Sequence, residues 1–411
     1  VKMSLVVQKY GGSSLASPRH IRHAADRIAG LKRSAQGVVV VVSAMGRTTD
    51  HLISLARKTV SNPSERELDM LLTVGERISM ALLAMALHEQ GIAAISFTGS
   101  QSGIVTSPDH TDARIIDIRA HRILAELAQG KVVIVAGFQG VSEQKEITTL
   151  GRGGSDTTAV AIAAALKASR CEILTDVDGL FTADPRLVPN AQLLPTCSYD
   201  EALELANLGA KMHSRSIGLA KRYSVDVRIL SSMNDRCKGT RLIVGGSPQE
   251  KSMEKLIIRG IATSDGYHHF RVRMKLKEVL PVLKECRVPI HFIHSSLNDV
   301  SFLISKERAA ETKKKLEHFD SIEETPKVAT VSAVGEGLCS APEVLPLFME
   351  AIQEAGVECL LLCSNSVSIT AALPSDQCKK LAIRLHEKLI EGNSAPKQAN
   401  TSELELGTCN A

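Results

Sequence analysis

The chain has 411 residues, 44% of them apolar and 23% charged, with a formal net charge of +4. This is ordinary for a globular protein of two or three domains, and the mild charge, with 3% aromatics and no tryptophan, argues against a nucleic-acid surface. Nine cysteines without a C-x-x-C pair, no leader pattern and no run of about 18 uncharged apolar residues lead us to expect a cytoplasmic protein with free thiols and no membrane span.

In chain order, Leu5 to Gln8 starts a strand that ends in Lys9-Tyr10-Gly11-Gly12-Ser13-Ser14, a point charge followed by backbone amides and hydroxyls. Such a group suits a phosphate, although a plain loop has the same composition. Pro18 to Arg33 reads as an amphipathic helix, and Val38 to Val42, five valines in succession, as a strand buried on both faces of a parallel sheet. Ser43 to Asp50 forms a glycine- and hydroxyl-bearing turn that includes Thr49, and a helix follows to about Val60. Glu65 to Gln90 reads as one long helix with Leu68, Leu72, Leu82 and Leu83 on its apolar stripe. Glu76 falls on that same stripe, where a carboxylate needs either an internal cation or a ligand. Ala93 to Phe97 and Val132 to Ala136 are further strands, and Arg114 to Gln129 reads as a helix between them. This alternation predicts an α/β fold, a mainly parallel sheet sandwiched by helices.

The densest signal is Leu150 to Arg186. Its glycine-rich turn, Gly151-Arg152-Gly153-Gly154-Ser155-Asp156, runs straight into a helix. Glycines let backbone amides turn toward a ligand, and a helix N-terminus adds partial positive charge, so the turn suits a carboxylate or a phosphate. Arg152 adds a planar fork for a carboxylate. The strand from Cys171 to Leu174 then ends in Thr175-Asp176-Val177-Asp178-Gly179, at the end of a sheet where open α/β folds bind ligands. Ala202 to Ala220 reads as a helix carrying Gly209-Ala210-Lys211, followed by strands at Val225–Leu230 and Arg241–Val244.

Residues 246–255 have linker composition, after which the pattern changes to two small units, 256–322 and 323–392, and a polar tail from Asn393 expected to be disordered. The second unit reads as strand, helix, strand, strand, helix, with Ser340-Ala341-Pro342-Glu343 as a capping box. The first is degenerate, its helix interrupted by Pro281, and Ile257 to Ala262 is an extra strand ahead of it.

LGRGGSDTTAVAIAAAL followed by TDVDGLFTADPR, with KYGGSS at the start, resembles the aspartokinase signature of the amino-acid kinase superfamily, and the two small units resemble ACT domains. The resemblance implies a catalytic domain over residues 1–245 and transfer of the γ-phosphoryl group of ATP to the side-chain carboxylate of L-aspartate, the first step toward lysine, threonine and methionine. It implies Lys9 and Asp156 as catalytic, and Thr49, Glu76, Arg152, Gly153, Gly154 and Ser155 around the substrate. It assigns Lys9, Tyr10, Gly11, Gly12, Ser13, Thr175, Asp176, Leu180, Phe181, Thr182, Asp184, Pro185, Arg186 and Lys211 to ATP. Magnesium accompanies the nucleotide, with no metal-ligand motif in the chain. The resemblance further implies a homo-oligomer joined through the ACT-like units, with lysine or threonine as effector. The first unit departs from the family: Met274 runs directly into Lys275-Leu276-Lys277-Glu278, without the glycine turn that receives an amino acid. The segment after Lys211 is one residue shorter than the family pattern. Two alternatives stay open, another kinase of the superfamily acting on glutamate, carbamate or a nucleotide, and a non-catalytic amino-acid sensor.

Overall fold

The computed structural model describes residues 5–210, 212–245, 257–286, 288, 292–317, 319, 321–338 and 341–392. The expected linker, the polar tail, Lys211 and the capping-box Ser340 lie outside them.

The amino-terminal part opens with β1 (Leu5–Tyr10), α1 (Pro18–Lys32), β2 (Gly37–Val42), α2 (Thr48–Thr59), α3 (Glu65–Leu72), α4 (Val74–Glu89) and β3 (Ala94–Phe97). It continues through β4 (Ile104–Thr106), β5 (Ile115–Ile118), α5 (His121–Ala128), β6 (Val132–Ala136), β7 (Gln139–Ser142), β8 (Ile147–Thr149) and α6 (Gly154–Ala165). It closes with β9 (Arg170–Thr175), β10 (Thr196–Ser198), α7 (Tyr199–Asn207), α8 (Ser214–Tyr223), β11 (Val227–Ser231) and β12 (Thr240–Ile243). Among the described residues the main sheet has eight strands, in the order β10-β12-β11-β9-β1-β2-β6-β3. β1 pairs in parallel with β2 on one side and β9 on the other, so the chain reverses its direction of winding beside β1. Open α/β sheets bind ligands at such a switch point, outside the carboxyl ends of the strands.

The valine run shows why the sheet is buried on both faces. Val38, Val40 and Val42 enter the layer filled by α1 and α4, while Val39 and Val41 enter the opposite layer with α5 and α6. α6 is apolar on all sides and buried over its first ten residues, as a helix enclosed in a core must be.

Three expected helices come out differently. Residues 115–118 form β5, because Ile115, Ile116 and Ile118 are β-branched and the stretch pairs with β4, through Ile115, Asp117 and Ile118, in a separate four-stranded sheet, β5-β4-β7-β8. The helix expected over Glu65–Gln90 is two helices meeting at Thr73. The one expected over Ala202–Ala220 breaks between α7 and α8, where Gly209 has φ +118°.

The stretch Glu65–Glu89 is, among the described residues, the one helical segment long and apolar enough to cross a membrane by length and composition, although Glu76 and Arg77 interrupt its apolar run. Core helices pass the same test. This one packs against α1, β3 and β6 and directs a carboxylate inward.

The carboxyl-terminal part comprises β13 (Ile257–Val272), α9 (Leu276–Glu285), β14 (Ile293–Ser295), β15 (Val300–Ser305), α10 (Lys306–Leu316), β16 (Ile322–Glu336), α11 (Val344–Ala355), β17 (Leu361–Ser364), β18 (Ser368–Pro374) and α12 (Cys378–His386). It is built on one six-stranded sheet, β14-β15-β13-β16-β18-β17. β13 and β16 run through both halves. Ile257 to Ser264 pairs with Thr330–Glu336 beside β18, and Tyr267 to Val272 pairs with β15 on its other edge. Pro281 is carried inside α9 without ending it. The two parts meet on charged groups: Arg259 bonds Glu201 at 3.0 Å, and Ser198 Oγ donates to Glu336 at 2.6 Å.

Candidate active site

Two cavities open at the carboxyl ends of the central strands. The first, about 490 Å³, is bounded by the ends of β1 and β2, the start of α2, the α3–α4 pair and the N-terminus of α6. Lys9, Gly12, Thr49, Glu76, Arg152, Gly153, Gly154, Ser155 and Asp156 all line it. Lys9 Nζ lies 2.6 Å from Asp156 Oδ1, each side chain about nine-tenths buried. The pair places a cation at the end of β1 and a carboxylate in the first turn of α6, where the helix's own N–H groups lack intrahelical partners. Arg152, in contrast, is exposed at the rim, close enough to Glu307 at the start of α10 to help lower that carboxyl's pKa.

The turn before α6 takes its shape from a histidine. Gly153 has φ +68°, and a Cβ there would fall 2.0 Å from the ring of His213. Only glycine combines that backbone with that neighbour. His213 is half buried, its Nδ1 has no hydrogen-bond partner among the described residues, and burial pushes its imidazole below the usual range.

Glu76 faces the cavity from α4 and is buried. Its Oε1 accepts the Ala44 N–H at 3.0 Å, while Oε2 is buried without a hydrogen-bond partner among the described residues. Burial raises its pKa to about 7, partly offset by the backbone hydrogen bonds. An unanswered carboxylate oxygen in a cavity calls for a cation from outside.

The second cavity, about 470 Å³, begins at Thr175 on the end of β9. Because Tyr10 pairs with Leu174, the two cavities adjoin across neighbouring strands about 4.8 Å apart. Thr175, Asp176, Leu180, Phe181, Asp184, Pro185 and Arg186 line it, as do Ala210 and Met212 on either side of Lys211. Arg186 forks onto Asp184, with Nη2–Oδ2 at 2.5 Å. No group of three metal-ligating side chains occurs among the described residues.

Four residues expected at the nucleotide are placed otherwise. Tyr10 is a core side chain packed with α1 and α4, its hydroxyl bonded to Gln8. The Gly11 amide donates to Leu174 O at 3.2 Å and so is not open to a phosphate. Ser13 is exposed outside both cavities, and Thr182 turns away from the second. In extended backbone a residue between two wall residues, here Phe181 and Ala183, points to the other side.

Asp69 was missed. It is fully buried on α3 and accepts from His110 Nδ1 at 2.8 Å, Thr111 N at 3.1 Å and Thr149 Oγ1 at 2.5 Å. Thr111, held at φ +64°, and Thr149 both line the first cavity. One carboxylate thus ties α3 to the wall directly ahead of the glycine turn. Its spacing is the signal that could have found it, since on a single helix over Glu65–Gln90 Asp69 would stand two turns before Glu76 on the same face.

The fold and the adjoining cavities are those of a small-molecule kinase, and residues 4–231 match the sequence model of the Amino acid kinase family. The aspartokinase of Bacillus sp. (strain MGA3) is 42% identical over 414 residues, spanning 96% of this chain and 99% of its own. That of Mycolicibacterium smegmatis is 43% identical over 412 residues, spanning 94% and 96%. Among solved structures, E. coli aspartokinase III in complex with aspartate and ADP aligns with a TM-score of 0.80 at 24% identity, covering 94% of this chain and 99% of that one. Synechocystis aspartate kinase aligns at 0.54 with 32% identity, covering 93% and 68%. The chain belongs to the aspartokinases.

Proposed function

We propose that the two cavities divide the substrates of the aspartokinase reaction, L-aspartate in the first and ATP in the second. As an aspartokinase the chain transfers the γ-phosphoryl group of ATP to the side-chain carboxylate of aspartate, giving 4-phospho-L-aspartate. The observation that carries the division is the set of charges around the first cavity: an exposed Arg152 fork, an unanswered Glu76 oxygen and the buried Lys9–Asp156 pair. Arg152 holds the α-carboxylate by two parallel bonds, Glu76 Oε2 receives the ammonium, and Thr49 and Ser155 orient the molecule. The side-chain carboxylate then faces Lys9 and the start of α6. It is ionised at neutral pH and attacks without a general base. Lys9 neutralises charge on the transferring group, aided by the Gly12 backbone, and Asp156 fixes where that ammonium sits. Magnesium, carried on the phosphates, adds charge neutralisation there. The product is an acyl phosphate, which hydroxylamine traps as a hydroxamate.

The carboxyl-terminal sheet supports an ACT-like regulatory part that pairs between copies of the chain. Its edge strands β14 and β17 present unpaired backbone that a partner can cover. α9 starts at Leu276 with Lys275 as its N-cap, so no anion-receiving loop precedes it. Feedback is therefore weak or confined to one type of site. Titrating aspartate phosphorylation with lysine, threonine and both together, alongside a molecular-mass measurement, is expected to give shallow inhibition of an oligomer. Steep sigmoidal inhibition by lysine alone, or a monomeric mass, would contradict this. The seven described cysteines are all free thiols, which fits the cytoplasm.

A further inference from the structure

Thr182 lies in the wall of the nucleotide cavity but does not face it. Its hydroxyl meets His386 Nε2 at 2.8 Å and accepts the Gln192 N–H at 2.9 Å. His386 is the last residue of α12, at the far end of the chain, and is wholly buried. Its other ring nitrogen, Nδ1, lies 2.9 Å from Glu391 Oε1, on the turn that follows α12. A carboxylate oxygen accepts, so Nδ1 carries a proton and donates to Glu391. Nε2 lies within hydrogen-bond distance of the Thr182 hydroxyl, so both ring nitrogens and the threonine hydroxyl are matched.

The same stretch is gripped by backbone as well. Ile261 N donates to Thr182 O at 2.7 Å, and Thr182 N donates to Gln192 O at 2.8 Å. Those bonds hold one strand-like segment against β13 and its own return. The histidine is different in kind, because it joins the segment to a helix of the regulatory part through side chains alone.

We propose that His386 is a positioning residue for the nucleotide, through which the last helix of the regulatory part sets the wall formed by Phe181, Ala183 and Asp184. The proposal rests on the reading of the second cavity as the ATP site. His386 touches no substrate. It acts by fixing Thr182, and a shift of α12 against β13 would move that wall.

The two amide replacements separate this role from simple filling of the core. In H386Q the longer side chain can keep an amide group where Nε2 stands and so keep Thr182. In H386N the shorter one can reach only toward Glu391. In the full-length enzyme, H386N is expected to raise the KM for ATP by about three- to tenfold, with kcat and the KM for aspartate near wild type, and H386Q to restore most of the loss. T182V, which also removes the acceptor of the Gln192 N–H, is expected to raise the KM for ATP at least as much as H386N, and the double variant to be no worse than T182V alone, because the bond that H386N breaks is one that T182V breaks too. Thermal unfolding run alongside identifies any variant that does not fold, and T182V, which keeps the side-chain shape, carries the test if H386N fails. Equal effects of H386N and H386Q, additive effects in the double variant, or an unchanged KM for ATP in H386N and T182V would overturn the role of His386. Protection of the second-cavity segment by ATP analogues in wild-type hydrogen exchange tests the ATP reading separately, and its absence would overturn that reading first.

Discussion

Asp156→Asn is expected to lower turnover by about two orders of magnitude or more while leaving the fold and ATP binding in place. Asparagine keeps the size of the side chain and one acceptor oxygen, so α6 and its packed surroundings should be undisturbed. What disappears is the negative partner 2.6 Å from Lys9 Nζ. The lysine sits at the end of β1 between Val41 and Ile173 of the neighbouring strands, so its stem is fixed while its head relies on Asp156 for direction. Phosphoryl transfer asks mainly for placed charge, so a misdirected ammonium is felt in kcat rather than in binding. Near-normal turnover with intact folding would remove Asp156 from the role given to it. A fall confined to the KM for aspartate would recast it as a binding group.

Glu76→Gln should separate function from stability. The glutamate has a pKa of about 7 in the folded protein against an ordinary 4.5, because burial disfavours its charge. A carboxyl raised in this way contributes stability that is full below 4.5 and is lost as pH rises through 7. At pH 8 the ionised, unanswered group therefore costs the ligand-free fold about 3 kcal/mol. Glutamine keeps the acceptor for the Ala44 N–H and carries no charge. The variant is expected to unfold at a temperature several degrees higher than wild type at pH 8, with the difference vanishing toward pH 4.5. The same change should raise the KM for aspartate about a hundredfold, since the ammonium loses its buried partner. In the wild type that KM should climb as pH falls below 7. A variant less stable than wild type at pH 8, or one with an unchanged KM, would contradict the reading of the free oxygen.

The parts of this design that rest on local pattern are legible in the sequence. Five valines in succession can only be a strand buried on both faces, and β2 is one. The glycine turn before α6 and the inward Glu76 announce themselves by spacing. What escapes depends on partners distant in the chain. Ile115 and Ile118 fit a helical stripe until β4 offers them a ladder. Tyr10 sits in a motif that handles phosphate, yet alternation along β1 sends its ring into the core beside α1. Thr182 is drawn away from the cavity by His386, 204 residues later. Asp69 escapes because its partners are distant in the chain, Thr111 from a turn and Thr149 from β8. β13 reads as two pieces, since nothing local says that one strand serves both halves of a sheet.

Aspartate in the cavity between Arg152 and Glu76 is the central claim, and the direct measurement is acyl-phosphate formation trapped with hydroxylamine across aspartate, glutamate, N-acetylglutamate and homoserine. ATP-dependent hydroxamate with aspartate, and little with the others, is the predicted result: N-acetylglutamate lacks the ammonium that Glu76 receives, homoserine lacks the side-chain carboxylate, and glutamate is one methylene too long. Hydroxamate from glutamate at the rate found with aspartate, or from N-acetylglutamate at all, would contradict it.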